Sequence, residues 1–196
     1  AKPMKKWIAG IAVLWLAGCS SKPIGLNYYM LHEPTVVAAE SSTDISNQPT
    51  IYLRSLSAPN YLQQRNLSIQ LSDSEIHFAP KHVWAEPFDR DFTMALSETL
   101  STDYKMRLRV QSKWTNPAQP EYILDIQLDD FIPTYNGRLI LKGKYRLEKD
   151  GAPPQFVRFN YWLPLNKDGF AFSVAQMRLL INELTNDVVT RVETSK

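Results

Sequence analysis

Cysteine is almost missing from this chain, with one residue, Cys19, in 196. A lone cysteine forms no intramolecular disulfide, and no Cys-rich zinc or iron–sulfur site can be assembled from it. Glycine is scarce as well, seven in all, and Gly10 and Gly18 fall among the first eighteen residues. The G-x-G-x-x-G, G-x-x-x-x-G-K-[ST] and G-x-S-x-G patterns do not occur, which removes the common phosphate cradles and the nucleophile elbow. An excess of one charge is lacking once the leader is set apart. The first eighteen residues hold Lys2, Lys5 and Lys6 and no acid, so the other 178 carry 19 basic against 20 acidic groups. The formal net charge of +2 therefore sits in the leader and gives no support to nucleic-acid binding. Hydrophobic residues at 44% supply an ordinary core and exclude a wholly disordered chain.

What is present begins with a targeting signal. Met4-Lys5-Lys6 is a positive start, Trp7 to Ala17 is uncharged and mostly apolar, and Gly18-Cys19 closes the run. This is the three-part shape of a secretory signal, and the run is shorter than the roughly 20 apolar residues a membrane span requires. Leu16-Ala17-Gly18-Cys19 matches the bacterial lipobox, where small residues admit the peptidase and the thiol accepts a diacylglycerol thioether. Residues 1–18 are expected to be a signal peptide, with 1–3 an extension before the start methionine. Cys19 becomes the first mature residue and carries N-acyl and S-diacylglycerol lipid; no other cofactor is expected. At about 0.8 kcal/mol per buried methylene, several acyl chains anchor the protein for good. Ser20 stands where lipoproteins held at the inner membrane usually carry Asp, which favours the periplasmic face of the outer membrane.

Residues 19–49 read as a lipidated tether with an N-terminal strand, Asn27 to Leu31, and a polar loop from Glu33 to Pro49. From Thr50 onward the periods are clear. Ile51 and Leu53, then Leu67, Ile69 and Leu71, alternate with polar neighbours as half-buried strands do, and Glu75 to Phe78 makes a third short strand. Phe88, Phe92, Ala95, Leu96, Thr99 and Leu100 recur at three and four behind Pro87, predicting a helix to about Thr102. Met106, Leu108 and Val110 alternate with basic residues, and Tyr122 to Asp129 alternates again. Asn136-Gly137 and Asp150-Gly151 predict type I′ hairpin turns around a strand from Arg138 to Lys149, with Gln155 to Leu165 returning beside it. Ser173 and Gln176 form a capping box ahead of a helix that runs toward Arg191. The expected fold is a single α+β domain over 50–196: a mainly antiparallel sheet with two helices packed on one face.

No catalytic residue and no metal ligand is expected. Grouping His77 and His82 with Asp73 and Glu75 matches no compact ligand spacing. Glu75 and His77 are instead expected on the wet side of a strand whose Ile76 and Phe78 face inward, with His82 in the following loop. Glu86, Asp89 and Asp91 near a helix start are explained by the macrodipole. Arg107, Arg109, Lys142, Lys144 and Arg146 suit either a solvated strand face or phospholipid head groups. Tyr52, Tyr61, Trp84, Trp114, Tyr122, Tyr135, Tyr145, Tyr161 and Trp162 are more large aromatics than one small core buries, so some are expected on a contact surface.

Pro59-Asn60-Tyr61-Leu62, Trp84-Ala85-Glu86-Pro87-Phe88 opening a helix, and Tyr135-Asn136-Gly137-Arg138 leading into a long strand follow the Leu-Ala-Gly-Cys leader. In this order they resemble the paraquat-inducible protein C family (PqiC, also YmbA), auxiliary lipoproteins of MCE-type intermembrane lipid transport systems. The resemblance implies an α+β domain and a non-enzymatic docking subunit. Its expected partners are an MCE tunnel protein (PqiB-like), through it an inner-membrane PqiA-like protein, outer-membrane lipid, and further copies of itself in a ring. Tyr61, Leu62, Trp84 and Pro87 are the candidates for the partner-binding surface or for the packing that shapes it. Two rivals remain: a carrier holding lipid between sheet and helices, and a metal-assisted hydrolase of envelope components.

Overall fold

The structure, a computed structural model, describes residues 25–34, 44–110 and 121–194. The signal segment and Cys19 lie outside the described residues, as do 35–43 of the expected loop and Trp114. Among the described residues eight strands and two helices follow one another as β1 (Asn27–Tyr29), β2 (Thr50–Ser57), a 3-10 turn (Asn60–Gln63), β3 (Asn66–Gln70), β4 (Ile76–Trp84), α1 (Phe88–Tyr104), β5 (Arg107–Val110), β6 (Tyr122–Pro133), β7 (Arg138–Lys149), β8 (Gln155–Pro164) and α2 (Phe170–Thr194).

Five strands join in the order β5-β2-β6-β7-β8, and three more in the order β1-β4-β3. β6, β7 and β8 form an antiparallel meander, as their sequence alternation predicts. β2 lies parallel to both β5 and β6, so the sheet is mixed. Parallel neighbours need a crossover connection, and the chain from β2 to β5 supplies it through β3, β4 and α1.

Both helices cover one face of the five-stranded sheet, as expected. Inward positions are Ile51 and Leu53 of β2, Tyr122, Leu124, Ile126 and Leu128 of β6, Leu139, Leu141, Tyr145 and Leu147 of β7, and Phe159 of β8, all buried. They meet Phe88, Phe92, Leu96 and Leu100 of α1 and Met177, Ile181, Leu184 and Val188 of α2 in one core. At its centre Phe131 packs edge to face on both Phe88 and Phe92, 6.2 Å from each ring. A bulge between Leu128 and Asp130 inserts one residue, so the inward phase shifts and Phe131 reaches the core. Thr99 lies on the seam between the helices, its hydroxyl 2.7 Å from Asn182 Oδ1.

Four sequence expectations are corrected. Gly137 and Gly151 take positive φ of 74°, but Asn136 and Asp150 do not, so neither turn is type I′. Gly137 N–H donates to Thr134 O at 3.1 Å and Thr134 N–H to Arg138 O at 2.7 Å, a tight turn followed by a glycine bulge. At the other turn Ala152 N–H donates to Lys149 O at 3.1 Å with Gly151 third in the turn, as type II requires. The Ser173–Gln176 capping box does not form, because α2 starts three residues earlier, behind Gly169 at φ 102°. Ser173 N–H already donates to Gly169 O at 3.2 Å, and Gln176 reaches Pro164 O instead. Finally, His82 lies within β4, and Ile76 and Phe78 are about 40% exposed, because the distal half of the β3–β4 hairpin projects beyond the core that Ala79 and Val83 enter.

Gly143 shows how closely β6, β7 and β8 pack. A Cβ there would lie 2.2 Å from Gln127 O and 2.8 Å from the Phe159 ring. The Gly143→Ala substitution must push β6 and β8 apart, so it is expected to destabilise by about 1–3 kcal/mol in urea unfolding. Unchanged stability would contradict this packing.

Candidate functional site

The sheet face away from the helices carries an ordered set of polar and charged side chains. Arg54 of β2 bonds both carboxylate oxygens of Asp125 and donates to Glu148 at 2.9 Å, and Arg146 shares that glutamate. These bonds raise the Arg54 guanidinium further above its ordinary range. Burial alone would lift the Asp125 carboxyl, but the bonds from Arg54 and Ser55 outweigh it and hold the group below the usual carboxylate value. Lys142 pairs with Asp130 at 3.4 Å. On the outer strand, β8, Phe156 is 76% and Trp162 51% exposed, each with a guanidinium over its ring: Arg146 at 5.6 Å and Arg138 at 4.5 Å. Arg158 lies between them on the same side and opposes Lys144 in register. Exposed aromatics interleaved with arginines are the composition of contact surfaces. Arg107 and Arg109, grouped by sequence with the β7 cations, sit across the sheet on β5, where Arg107 bonds Thr50 Oγ1.

A second arrangement fixes the chain where it enters the fold. Asp91, in the first turn of α1, is fully buried. Its carboxylate accepts from Leu31 N–H at 2.7 Å and His32 N–H at 3.0 Å, and lies 2.5 Å from His32 Nδ1. From α2, Arg178 donates to the carbonyls of Leu31 at 2.9 Å and Met30 at 2.8 Å. The short segment after β1 is thus held from one side by an acid and from the other by a base. β1 itself pairs with β4, and Tyr29 Oη lies 2.8 Å from His82 Nδ1, whose ring stacks on Phe170 at 4.3 Å. Sequence reasoning assigned Asp91 to the macrodipole. The readable signal was its place on the apolar stripe, three residues after Phe88 and four before Ala95.

The sequence-selected residues lie together beneath the start of α1. Leu62 and Trp84 are 2% and 7% exposed, so they belong to the packing that shapes a surface. Trp84 stands edge-on to Phe88 at 6.3 Å. Tyr61 is half-buried, its oxygen accepting from Phe131 N–H at 2.8 Å, and Pro87 is exposed at the helix start with its carbonyl bonded to Asp91 N–H. Cys19 lies outside the described residues. His77 is solvent-exposed, and Asp73 takes the Tyr135 hydroxyl at 2.5 Å. Among the described residues no group of three or more His, Cys, Asp or Glu side chains is placed to hold a metal. Between sheet and helices, where the carrier reading would put lipid, Phe92, Tyr122, Leu124, Ile181 and Leu184 fill the space, each at most 1% exposed. No described helix is long and apolar enough to cross a membrane.

Residues 29–189 match the family described as "ABC-type transport auxiliary lipoprotein component". Over 152 residues the chain is 32% identical to the "Intermembrane transport lipoprotein PqiC" of Escherichia coli (strain K12), covering 76% of each, and equally to the protein of that name from Shigella flexneri. Among solved structures, an uncharacterized protein superposes with a TM-score of 0.68 at 18% identity, over 86% of this chain and 99% of that one. A Xanthomonas campestris protein superposes with 0.59 at 13% identity, over 76% and 91%. The two structures show the fold alone.

Two outcomes follow. Asp91→Ala removes three bonds from a buried site and is expected to cost about 3 kcal/mol or more. It should also raise amide exchange at Leu31 and His32 selectively; exchange unchanged at those two amides would contradict the clamp. Burial pushes the Tyr61 hydroxyl up to about 12, partly offset by the Phe131 N–H and reinforced by Asp130. The folded state therefore keeps this proton after the unfolded chain begins to release it near 10.0. The stabilisation is complete below that pH and is lost as pH rises through about 12. Urea unfolding across that window should show the loss, reduced in Tyr61→Phe.

Proposed function

The chain belongs to the PqiC family of ABC-type transport auxiliary lipoproteins, and from that premise we propose that it is a non-enzymatic docking subunit of an intermembrane lipid transport system. Cys19 carries the acyl anchor and holds the domain on the periplasmic face of the outer membrane. The bare face of the five-stranded sheet receives the end of an MCE tunnel protein (PqiB-like), which reaches back to an inner-membrane PqiA-like protein. Several copies stand in a ring around the tunnel mouth. The observation that carries this reading is the pairing of two largely exposed aromatics, Phe156 and Trp162, with guanidinium groups on the sheet face away from the helices. The Tyr61, Leu62 and Trp84 cluster supports it from behind by fixing the end of β6 and the start of α1.

The short clamp ties the anchor to the helices that carry the sheet. Met30 to His32 are bonded to both helices, so a pull on the acylated N-terminus is transmitted to the core rather than to a free strand. Docking against a partner that spans the periplasm needs this kind of rigid attachment.

A photo-reactive amino acid in place of Trp162 is expected to crosslink the tunnel protein in whole cells, while one in place of Leu179, exposed on α2, is not. Crosslinks from Leu179 with none from Trp162 would overturn the assignment of the face. The Cys19→Ala protein should move from the outer-membrane fraction to the soluble periplasm. If the unmodified protein still sediments with membranes, the anchor reading fails.

A further inference from the structure

Lys144 and Arg158 are Cα partners across β7 and β8, on the side of the sheet away from the helices. Both are exposed. Like charges placed directly opposite each other on a sheet destabilise it. The other cations at this end are balanced: Arg54 and Arg146 meet Asp125 and Glu148. Neither Lys144 nor Arg158 has a carboxylate partner among the described residues, so four cations face two carboxylates.

The two unbalanced charges stand at a basin of about 490 Å³, the size of small-molecule sites, whose walls include Ser55, Ser57, Gln127 and Phe156. An anion between the ammonium and the guanidinium would relieve their repulsion, and the arginine fork matches a phosphate's oxygens in pairs. Phe156 adds a second requirement. Its ring is 76% exposed at the rim and is held by Arg146, so the ligand brings apolar surface as well as negative charge. A free inorganic ion has no use for that ring, whereas an anionic phospholipid has both parts.

We propose that Lys144, Arg158 and Phe156 form a binding site for an anionic phospholipid, its phosphate between the two cations and its acyl-bearing side against the phenyl ring. The site needs no tunnel protein to bind lipid, although Phe156 also belongs to the face proposed for docking. Trp162 lies four residues beyond Arg158 on β8, roughly 13 Å away.

The test uses the full chain in dodecyl maltoside, titrated with dihexanoyl phosphatidylglycerol and, separately, with inorganic phosphate. Saturable binding of the lipid is expected, at least tenfold tighter than that of phosphate. The Lys144→Gln, Arg158→Gln double variant should lose it at least tenfold, and Phe156→Ala should weaken the lipid while leaving phosphate unchanged. Relief of like-charge repulsion should leave the melting temperature of the double variant equal to or above that of the parent; a fall of several degrees would show a structural role and overturn the proposal. Phosphate binding as tightly as the lipid would also overturn it, since the apolar contact would then be idle. So would lipid binding indifferent to the double variant. Loss of tunnel-protein crosslinks from Trp162 in that variant, with no lipid binding by the parent, would reassign the cations to an acidic protein surface.

Discussion

In the β6–β7–β8 meander, side chains alternate between two sides of the sheet, and all the helical mass lies on one of them. Tyr122, Leu124, Leu141, Leu147 and Phe159 are sealed under α1 and α2, while Asp125, Lys144, Arg146, Glu148 and Arg158 stand on the opposite side. Because the period is two, a slip of one residue would exchange the sets and bury five or more charges. Gly143 enforces the register, since only a residue without Cβ lets Phe159 and the β6 backbone approach as closely as they do. The chemistry of the open face is therefore a consequence of how the core is packed.

The entry segment follows a different rule. Burying a carboxylate as fully as Asp91 costs several kcal/mol unless its oxygens are bonded, and here two backbone amides and an imidazole bond them. Arg178 satisfies the carbonyls of the same short stretch. β1 has only three residues and one strand neighbour, too little to hold a chain end by pairing alone. Polar groups drawn from both helices supply what the ladder lacks.

The elements made by local pattern were legible in the sequence. Strand β7 and the first helix were predicted within two residues of their ends, because alternation and three-four spacing are local properties. Turn type was not, because Asn136 and Asp150 tolerate positive φ without requiring it, and the closing hydrogen bonds decide. The parallel placement of β2 beside β5 and β6 follows from a crossover that no window of residues reveals. The docking candidates were half legible. Trp84 and Leu62 announced themselves as large and apolar, but composition cannot say whether such a residue faces a partner or the core. Arg158 escaped the basic patch inferred from β7, because its place beside Lys144 depends on cross-strand register. Asp91 escaped because a carboxylate at a helix start has a sufficient local explanation.

An edge strand such as β8, ten residues long, offers unpaired backbone groups to any neighbour, and charges along such a strand are a common defence against aggregation. Lys144 and Arg158 fit that description, but the rest of the face argues otherwise. A strand protected only against association would not present Phe156 at 76% exposure and Trp162 at 51% on the same side as its charges. Nor would protection require the two cations to be in register, where they repel each other within the fold as well as repelling a stranger. Repulsion retained inside the monomer, next to an exposed ring and a concave surface, is relieved by a ligand that is both anionic and apolar. The two charges are thus read as determinants of what occupies the face.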